Sequence, residues 1–167
     1  MSLDGYIAGW DGNVDWMNGQ DNTADNIDTY ASFIKNVDTV IMGWNTYHQI
    51  VTELSPTEWV YKGLTSYVIT HKKESSTDEI KFTKENPCEL VNALKQKDGK
   101  DIWICGGANI AGQLMKADLI DKYYISVIPT LLGQGIRLFD TLEKELKLKL
   151  IQTQSYNGIT DLVYVRR

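Results

Sequence analysis

The sequence predicts an α/β domain, with a central, mostly parallel twisted sheet, helices on both faces and an antiparallel hairpin at the C-terminus. Three observations predict it. The apolar run Thr39–Met42 stops at Gly43, and Trp44 to Tyr47 then open a helix. The run Ile102–Cys105 stops at Gly106-Gly107 and passes at once into Ala108–Met115, whose apolar residues recur with helical spacing. Near the C-terminus, Leu146 to Leu150 alternate apolar and charged, and Asn157-Gly158 is a strong hairpin turn before Leu162–Val165.

Taken in order, Met1–Gly9 resembles the tail of a strand. Trp10–Asn22 is a Gly-, Asp- and Asn-rich loop carrying Trp10 and Trp16, of a length that usually serves function or motion. Asp25 or Asn26 can cap a helix whose Ile27, Tyr30, Ala31 and Ile34 form a buried stripe. Ser66–Thr70 predicts a third core strand, ending in the small basic patch His71, Lys72 and Lys73. Ile80–Thr83 is a minor strand, and Pro87 suits the first turn of a helix that buries Leu90, Val91 and Leu94. Lys122–Ile128 is a strand stopped by Pro129, followed by the glycine pair Gly133 and Gly135. No internal repeat or linker interrupts the chain, so residues 1–167 read as a single domain.

Composition narrows the classes. At 167 residues the chain can bury a core without disulfides or metal. Its net charge of -5, with no basic run, argues against a nucleic-acid partner. Cys88 and Cys105 form neither a disulfide framework nor a zinc motif, and with two histidines there is no metal-ligand cluster. No apolar stretch reaches membrane-spanning length and no signal peptide opens the chain, which predicts a reduced, cytoplasmic protein.

The two strand-glycine-helix junctions carry the chemistry. Glycine removes the Cβ atoms that would block a ligand, and the first N–H groups of a helix lack intrahelical partners. Such a place suits an anion, most often phosphate. In a sheet with crossover helices both junctions lie at the carboxyl ends of parallel strands, on one edge. Asn45 and Thr46 could donate to phosphate there, their plainer role being capping. His71 and the lysines could meet a 2′-phosphate or adenine, their plainer role being solvated charge. Gly106-Gly107 lacks the third glycine of the dinucleotide fingerprint, so it is equally a simple tight turn. Asp4 and Asp28 are candidate anchors for a heterocycle or ordinary turn and capping carboxylates. Trp10 and Trp16 either cover a flat ring or pin their loop.

The segments TVIMGWNTYHQI, DIWICGGANIAGQL and KYYISVIPTLLGQGIRLF, with SLDGYIAG and DGNVDW before them, resemble the dihydrofolate reductase superfamily in order and spacing. Within it, the chain is most similar to the reductase domain of bifunctional riboflavin-biosynthesis deaminase/reductases. The resemblance implies an eight-stranded sheet with a reduced nicotinamide dinucleotide lying across the edge. It implies that Gly43, Trp44, Asn45 and Thr46 meet phosphate at a helix start, and that Thr70, His71 and Lys72 meet the adenosine half. Cys105, Gly106 and Gly107 would approach the pyrophosphate through an unusual cis bond, followed by Ala108, Asn109 and Ile110. Asp4 to Ile7 would border the nicotinamide, and Trp16 would belong to a mobile loop over the active site.

The implied activity is hydride transfer from NADPH to a small heterocyclic, pterin- or pyrimidine-like, or carbonyl substrate. Trp44 stands where the family usually has an arginine for the 2′-phosphate, which leaves NADH open unless Lys72 or Lys73 compensates. The family's folate-anchoring acid has Asp28 as its nearest counterpart, one residue out of step, so dihydrofolate itself is not the expected substrate. Two alternatives stand beside this: a nucleotide-binding protein without catalysis, and a 5-amino-6-(5-phosphoribosylamino)uracil reductase-type enzyme of riboflavin biosynthesis. Lys122–Phe139 leaves room for a homodimer face. The family's first strand begins before Met1, so the expectation is that Met1 is an internal methionine.

Overall fold

The structure is a computed structural model that describes residues 1–21, 29–142 and 144–167. In chain order its elements are β1 (Tyr6–Ala8), α1 (Thr29–Ile34), β2 (Val37–Gly43) and α2 (Trp44–Gln49), which continues into a π-helical turn (Ile50–Leu54). Then come β3 (Thr65–Ile69), β4 (Ile80–Thr83), α3 (Pro87–Lys95), β5 (Asp101–Gly106) and α4 (Ala108–Lys116). The last are β6 (Lys122–Val127), β7 (Ile136–Arg137), β8 (Leu148–Tyr156) and β9 (Ile159–Arg166). The chain divides into two compact units, Thr29–Leu119 and Met1–Asp28 with Ile120–Arg167.

The Thr29–Leu119 unit holds a four-stranded sheet in the order β4-β3-β2-β5, every pairing parallel. β2 lies inside the sheet, and Val40, Ile41 and Met42 are fully buried in succession, as expected for a parallel strand covered on both faces. Val37, Val40 and Met42 join Ile50 and Val68 in one core, and each such side chain contributes about 1.5–3 kcal/mol by leaving water. Against this core stands a wall of rings. Trp103 meets Phe33 and Tyr61 edge-on at centroid separations of 5.3 Å, Tyr61 meets Trp59 at 5.3 Å, and Tyr47 meets Phe82 at 5.1 Å.

α3 starts as expected. Pro87 occupies its first turn, Asn86 Oδ1 accepts from the Cys88 amide at 2.8 Å, and Leu90 and Val91 are buried. The stripe expected on α1 is described only in part and needs correction at Tyr30. Ile27 and its caps Asp25 and Asn26 lie outside the described residues, none of the described residues of α1 is buried, and Tyr30 is 48% exposed. Phe33 and Ile34 pack against the core, while Tyr30 rests edge-on against Trp103 at 6.0 Å.

In the other unit every pairing between named strands is antiparallel. β8 and β9 form the expected hairpin, closed by Asn157 and Gly158 with φ of 45° and 76°. Two successive positive φ values match the twist of the flanking strands, hence the Asn-Gly pair. β6 pairs with the far side of β9. The alternation expected for the first hairpin strand holds from Leu146 to Lys149, with Leu146 and Leu148 half-buried and Lys147 and Lys149 exposed, and ends at Leu150, which is 46% exposed on the edge strand β8. The eight-stranded sheet is replaced, among the described residues, by hydrogen-bonded sheets of four, three and two strands.

Asn157 also anchors the Trp10–Asp21 loop: its carbonyl accepts from Gln20 N at 3.0 Å and its side-chain oxygen from Asp21 N at 2.8 Å. The first residues run beside the end of β6, with a parallel bridge between Ser2 and Ile128. Asp4 then locks a distant loop. Its carboxylate accepts from Ser2 Oγ at 2.7 Å, Leu132 N at 3.1 Å and Gly133 N at 2.7 Å. The Ser2 hydroxyl foremost, with those backbone amides, holds its carboxyl down from the ordinary 3.8 to about 2.

A folded-state pKa below the unfolded one means that the folded chain binds fewer protons, so Asp4 stabilises fully above pH 3.8 and the effect fades as pH falls towards about 2. Asp4→Asn is expected to lower the melting temperature at neutral pH and to flatten the loss of stability between those two pH values. Thermal melts across that window check it, and an unchanged pH slope would contradict the role given to this carboxylate.

Candidate functional site

The parallel register sets the two glycine junctions side by side. Gly43, ending β2, lies opposite Ile69 of β3, and Met42 lies opposite Gly106, ending β5. The carboxyl ends of β3, β2 and β5 therefore share one edge, where α2 and α4 begin.

Neither helix start is capped by a side chain. Gly43 and Gly107 occupy the cap positions in extended conformations, with φ/ψ of -86°/167° and -85°/-171°. In α4 the first intrahelical bond runs from the Ala111 amide to the Gly107 carbonyl at 3.2 Å, so the N–H groups before it face outward. The aligned peptide dipoles add partial positive charge at the same place. Gly106 has φ of 140°, open in practice only to glycine, and its peptide bond to Gly107 is cis, as the resemblance implied.

The junctions also face each other. A Cβ built on either Gly106 or Gly107 would stand 3.7 Å from Thr46 Oγ1. One built on Gly43 would stand 3.3 Å from Ile110 Cδ1 and 4.0 Å from Gly107 N. The three glycines thus keep clear a space bounded by the Thr46 hydroxyl, the α4 start and the buried Ile110. Among the described residues neither Thr46 nor the exposed Asn45 has a side-chain hydrogen-bond partner. Asn109 Oδ1 does have one, the Gln113 side-chain amide at 2.7 Å, and Ala108 opens the helix beside it.

On the flank, Thr70 is buried and its amide donates to Thr83 O at 2.9 Å, continuing the ladder. Its Oγ1 accepts from the Lys72 amide at 3.1 Å, which turns the chain there. The Lys72 ammonium then sits 4.2 Å from the centroid of the Trp44 ring, a cation–π contact that holds a cation over the first residue of α2. His71 is exposed. Trp44 also packs against Tyr47 at 5.5 Å and His48 at 5.6 Å, so His48 serves as a surface ring contact.

Cys105 precedes Gly106 at the end of β5. Its Sγ pairs with Tyr61 Oη at 3.2 Å, turned to the ring wall, and burial pushes the thiol above its ordinary value. A thiol held protonated in this way is not a nucleophile. Burial, with Cys105 beside it, raises the Tyr61 phenol as well. This partnership was not legible in the sequence, because the two residues lie 44 positions apart.

The substrate-side candidates lie in the other unit, apart from Asp28, which is outside the described residues. Ile7 is the middle residue of β1. Trp16 Nε1 donates to Asn13 O at 3.2 Å within its own loop, and Trp10 is 82% exposed. Asp4 is committed to Ser2, Leu132 and Gly133, and its low pKa removes it as a proton donor near neutrality. Among the described residues no group of His, Cys, Asp and Glu could hold a metal ion, and no helix is long and apolar enough to cross a membrane.

The chain is similar to several known proteins. The family described as the RibD C-terminal domain matches residues 1–164. A Bacillus subtilis (strain 168) protein, YwjB, is 41% identical over 99% of this chain and 94% of its own length. Among solved structures, a Shewanella sp. PV-4 protein assigned to riboflavin biosynthesis is 29% identical, with a TM-score of 0.86 over 100% of this chain and 95% of that one. A dihydrofolate reductase from Enterococcus faecalis, solved with NADP(H), is 16% identical with a TM-score of 0.65, covering 100% and 92% of the two chains, a likeness of fold alone. The fold is dihydrofolate-reductase-like, and the chain belongs to the RibD C-terminal domain family.

Proposed function

We propose that the protein is an NADPH-dependent reductase that transfers hydride to a small heterocyclic, pterin- or pyrimidine-like, or carbonyl substrate. One observation carries the reading: two uncapped helix starts face each other across Gly43, Gly106 and Gly107, with the unpartnered Thr46 hydroxyl between them. That cradle fits a pyrophosphate, since glycine admits its bulk and outward N–H groups and a hydroxyl can donate to its oxygens. When bound, the reduced nicotinamide supplies the hydride, and the protein's task is to position and shield the reactants. No side-chain nucleophile is required, in keeping with the protonated, hydrogen-bonded Cys105 thiol.

NADPH is preferred over NADH in this reading because Lys72 brings a cation to Trp44, the position where the resembling family carries arginine. Membership of the RibD C-terminal domain family supports a reductase of the riboflavin-pathway type as the narrower form of the same proposal. We extend the reading to a homodimer, supported by the exposed Leu131, Ile136 and Phe139, which are 69%, 44% and 38% accessible.

Titration of the purified protein with NADPH and with NADH, followed by tryptophan fluorescence, tests the proposal. NADPH is expected to bind below millimolar and more tightly than NADH, and to be oxidised by a member of a panel of pterins, pyrimidines and quinones. Binding by neither nucleotide would overturn the reading, and binding without oxidation across the panel would reduce it to a nucleotide-binding protein. Thr46→Val is expected to weaken both nucleotides about tenfold, the effect of one lost hydrogen bond to a charged group, without changing the melting temperature. Lys72→Met is expected to weaken NADPH several-fold and flatten its salt dependence while leaving NADH unchanged. Equal losses for the two nucleotides in Lys72→Met would contradict the 2′-phosphate role of Lys72.

A further inference from the structure

In the antiparallel unit, Arg137 of β7 stands directly across from Tyr6 of β1. The close pairing depends on Gly135, where a Cβ would collide with the Ala8 carbonyl. The Arg137 guanidinium lies over the Tyr6 ring at 4.8 Å, and its Nη2 donates to Tyr6 Oη at 3.1 Å. Tyr6 is itself buried and passes its proton on to Gly133 O at 3.3 Å, so the support is fixed in turn.

The arginine is therefore held in place yet exposed, and among the described residues it has no carboxylate partner. The carboxylate bound to the loop before β7, that of Asp4, is occupied by Ser2, Leu132 and Gly133. A guanidinium offers five N–H donors, and one is used here. The backbone beside it is open, since a Cβ on Gly5 or on Gly133 would meet nothing within 4 Å. In a chain whose other arginines are the terminal pair Arg166 and Arg167, a planar fork fixed on an aromatic ring is a group suited to bidentate binding of an oxyanion.

We propose that Arg137, held by Tyr6, is an oxyanion-binding residue that docks a phosphate or carboxylate carried by the substrate. Its assignment to a substrate rests on the reductase reading; the anion site itself does not. Tyr6 acts as the positioning residue, setting the plane of the fork before the anion arrives, which reduces the ordering cost of binding.

The test is NMR of the arginine Nε–Hε groups, where Arg137→Lys removes and so assigns the signal of interest. Wild-type protein is titrated with ribose 5-phosphate, inorganic phosphate and acetate, with chloride at matched ionic strength as the control. A saturable shift of the Arg137 signal with the phosphates or with acetate, absent with chloride, supports the site, and the tighter ligand names the group. Arg137→Gln, at an exposed position, is expected to weaken that ligand about tenfold or more, and Tyr6→Phe several-fold with the charge intact. No saturable shift, a response shared with chloride, or unchanged affinity in Arg137→Gln would overturn the proposal. NADPH titrated into the same sample reads the coenzyme separately: loss of nucleotide binding with phosphate binding kept sinks the reductase reading alone.

Discussion

The pairing of β2 with β5 is the constraint on which the candidate site depends. Because the two strands are parallel and Met42 sits opposite Gly106, their carboxyl ends finish together. Both chains must then turn into helices at the same level, and glycine at each turn lets those turns approach. A slip of register by one residue would turn each side chain of β2 to the opposite face, exchanging Val40 and Met42 with the equally buried Ile41 and breaking the fit of both layers as it moved Gly43 away from Gly107. Packing and site geometry are thus fixed by the same ladder.

The ring wall supports that edge from beneath. Trp103 and Cys105 project from one face of β5, and Tyr61 links them, edge-on to the indole and hydrogen-bonded to the thiol. Through Trp59 the contacts continue to Tyr47 and then to Trp44, the first residue of α2. The first two pairs are edge-on and the two that reach α2 are tilted, and such ring pairs add about 0.5–1.5 kcal/mol each beyond their buried area, which stiffens the helix start that carries Thr46. Lys72 above Trp44 is the outermost member of the series and places a charge at its end.

Much of this was legible in the sequence because it is local. The runs ending at Gly43 and Gly106-Gly107, the Pro87 helix start and the Asn157-Gly158 turn each declare themselves within a few residues, and each stands in the structure where the pattern puts it. The resemblance supplied the long-range part, the order of motifs that identifies the fold. What stayed hidden depends on partners far apart in the chain: Asp4 with Gly133, Tyr6 with Arg137 and Tyr61 with Cys105. Asp4 offered itself as a heterocycle anchor since an isolated carboxylate before glycine carries no sign of the loop it will bind. Tyr6 read as plain core, which its burial agrees with, while the fork on its ring had no sequence signal beyond an arginine after a glycine pair. Tyr30 misled because periodicity marks a face without showing how deeply each of its residues is buried.

The central claim, that a dinucleotide pyrophosphate rests between the α2 and α4 starts, is tested most directly by amide NMR during titration with NADPH. Saturable shifts concentrated on Gly107–Ile110 and Trp44–Thr46 are the predicted result. Saturable binding whose shifts leave both helix starts untouched would contradict it.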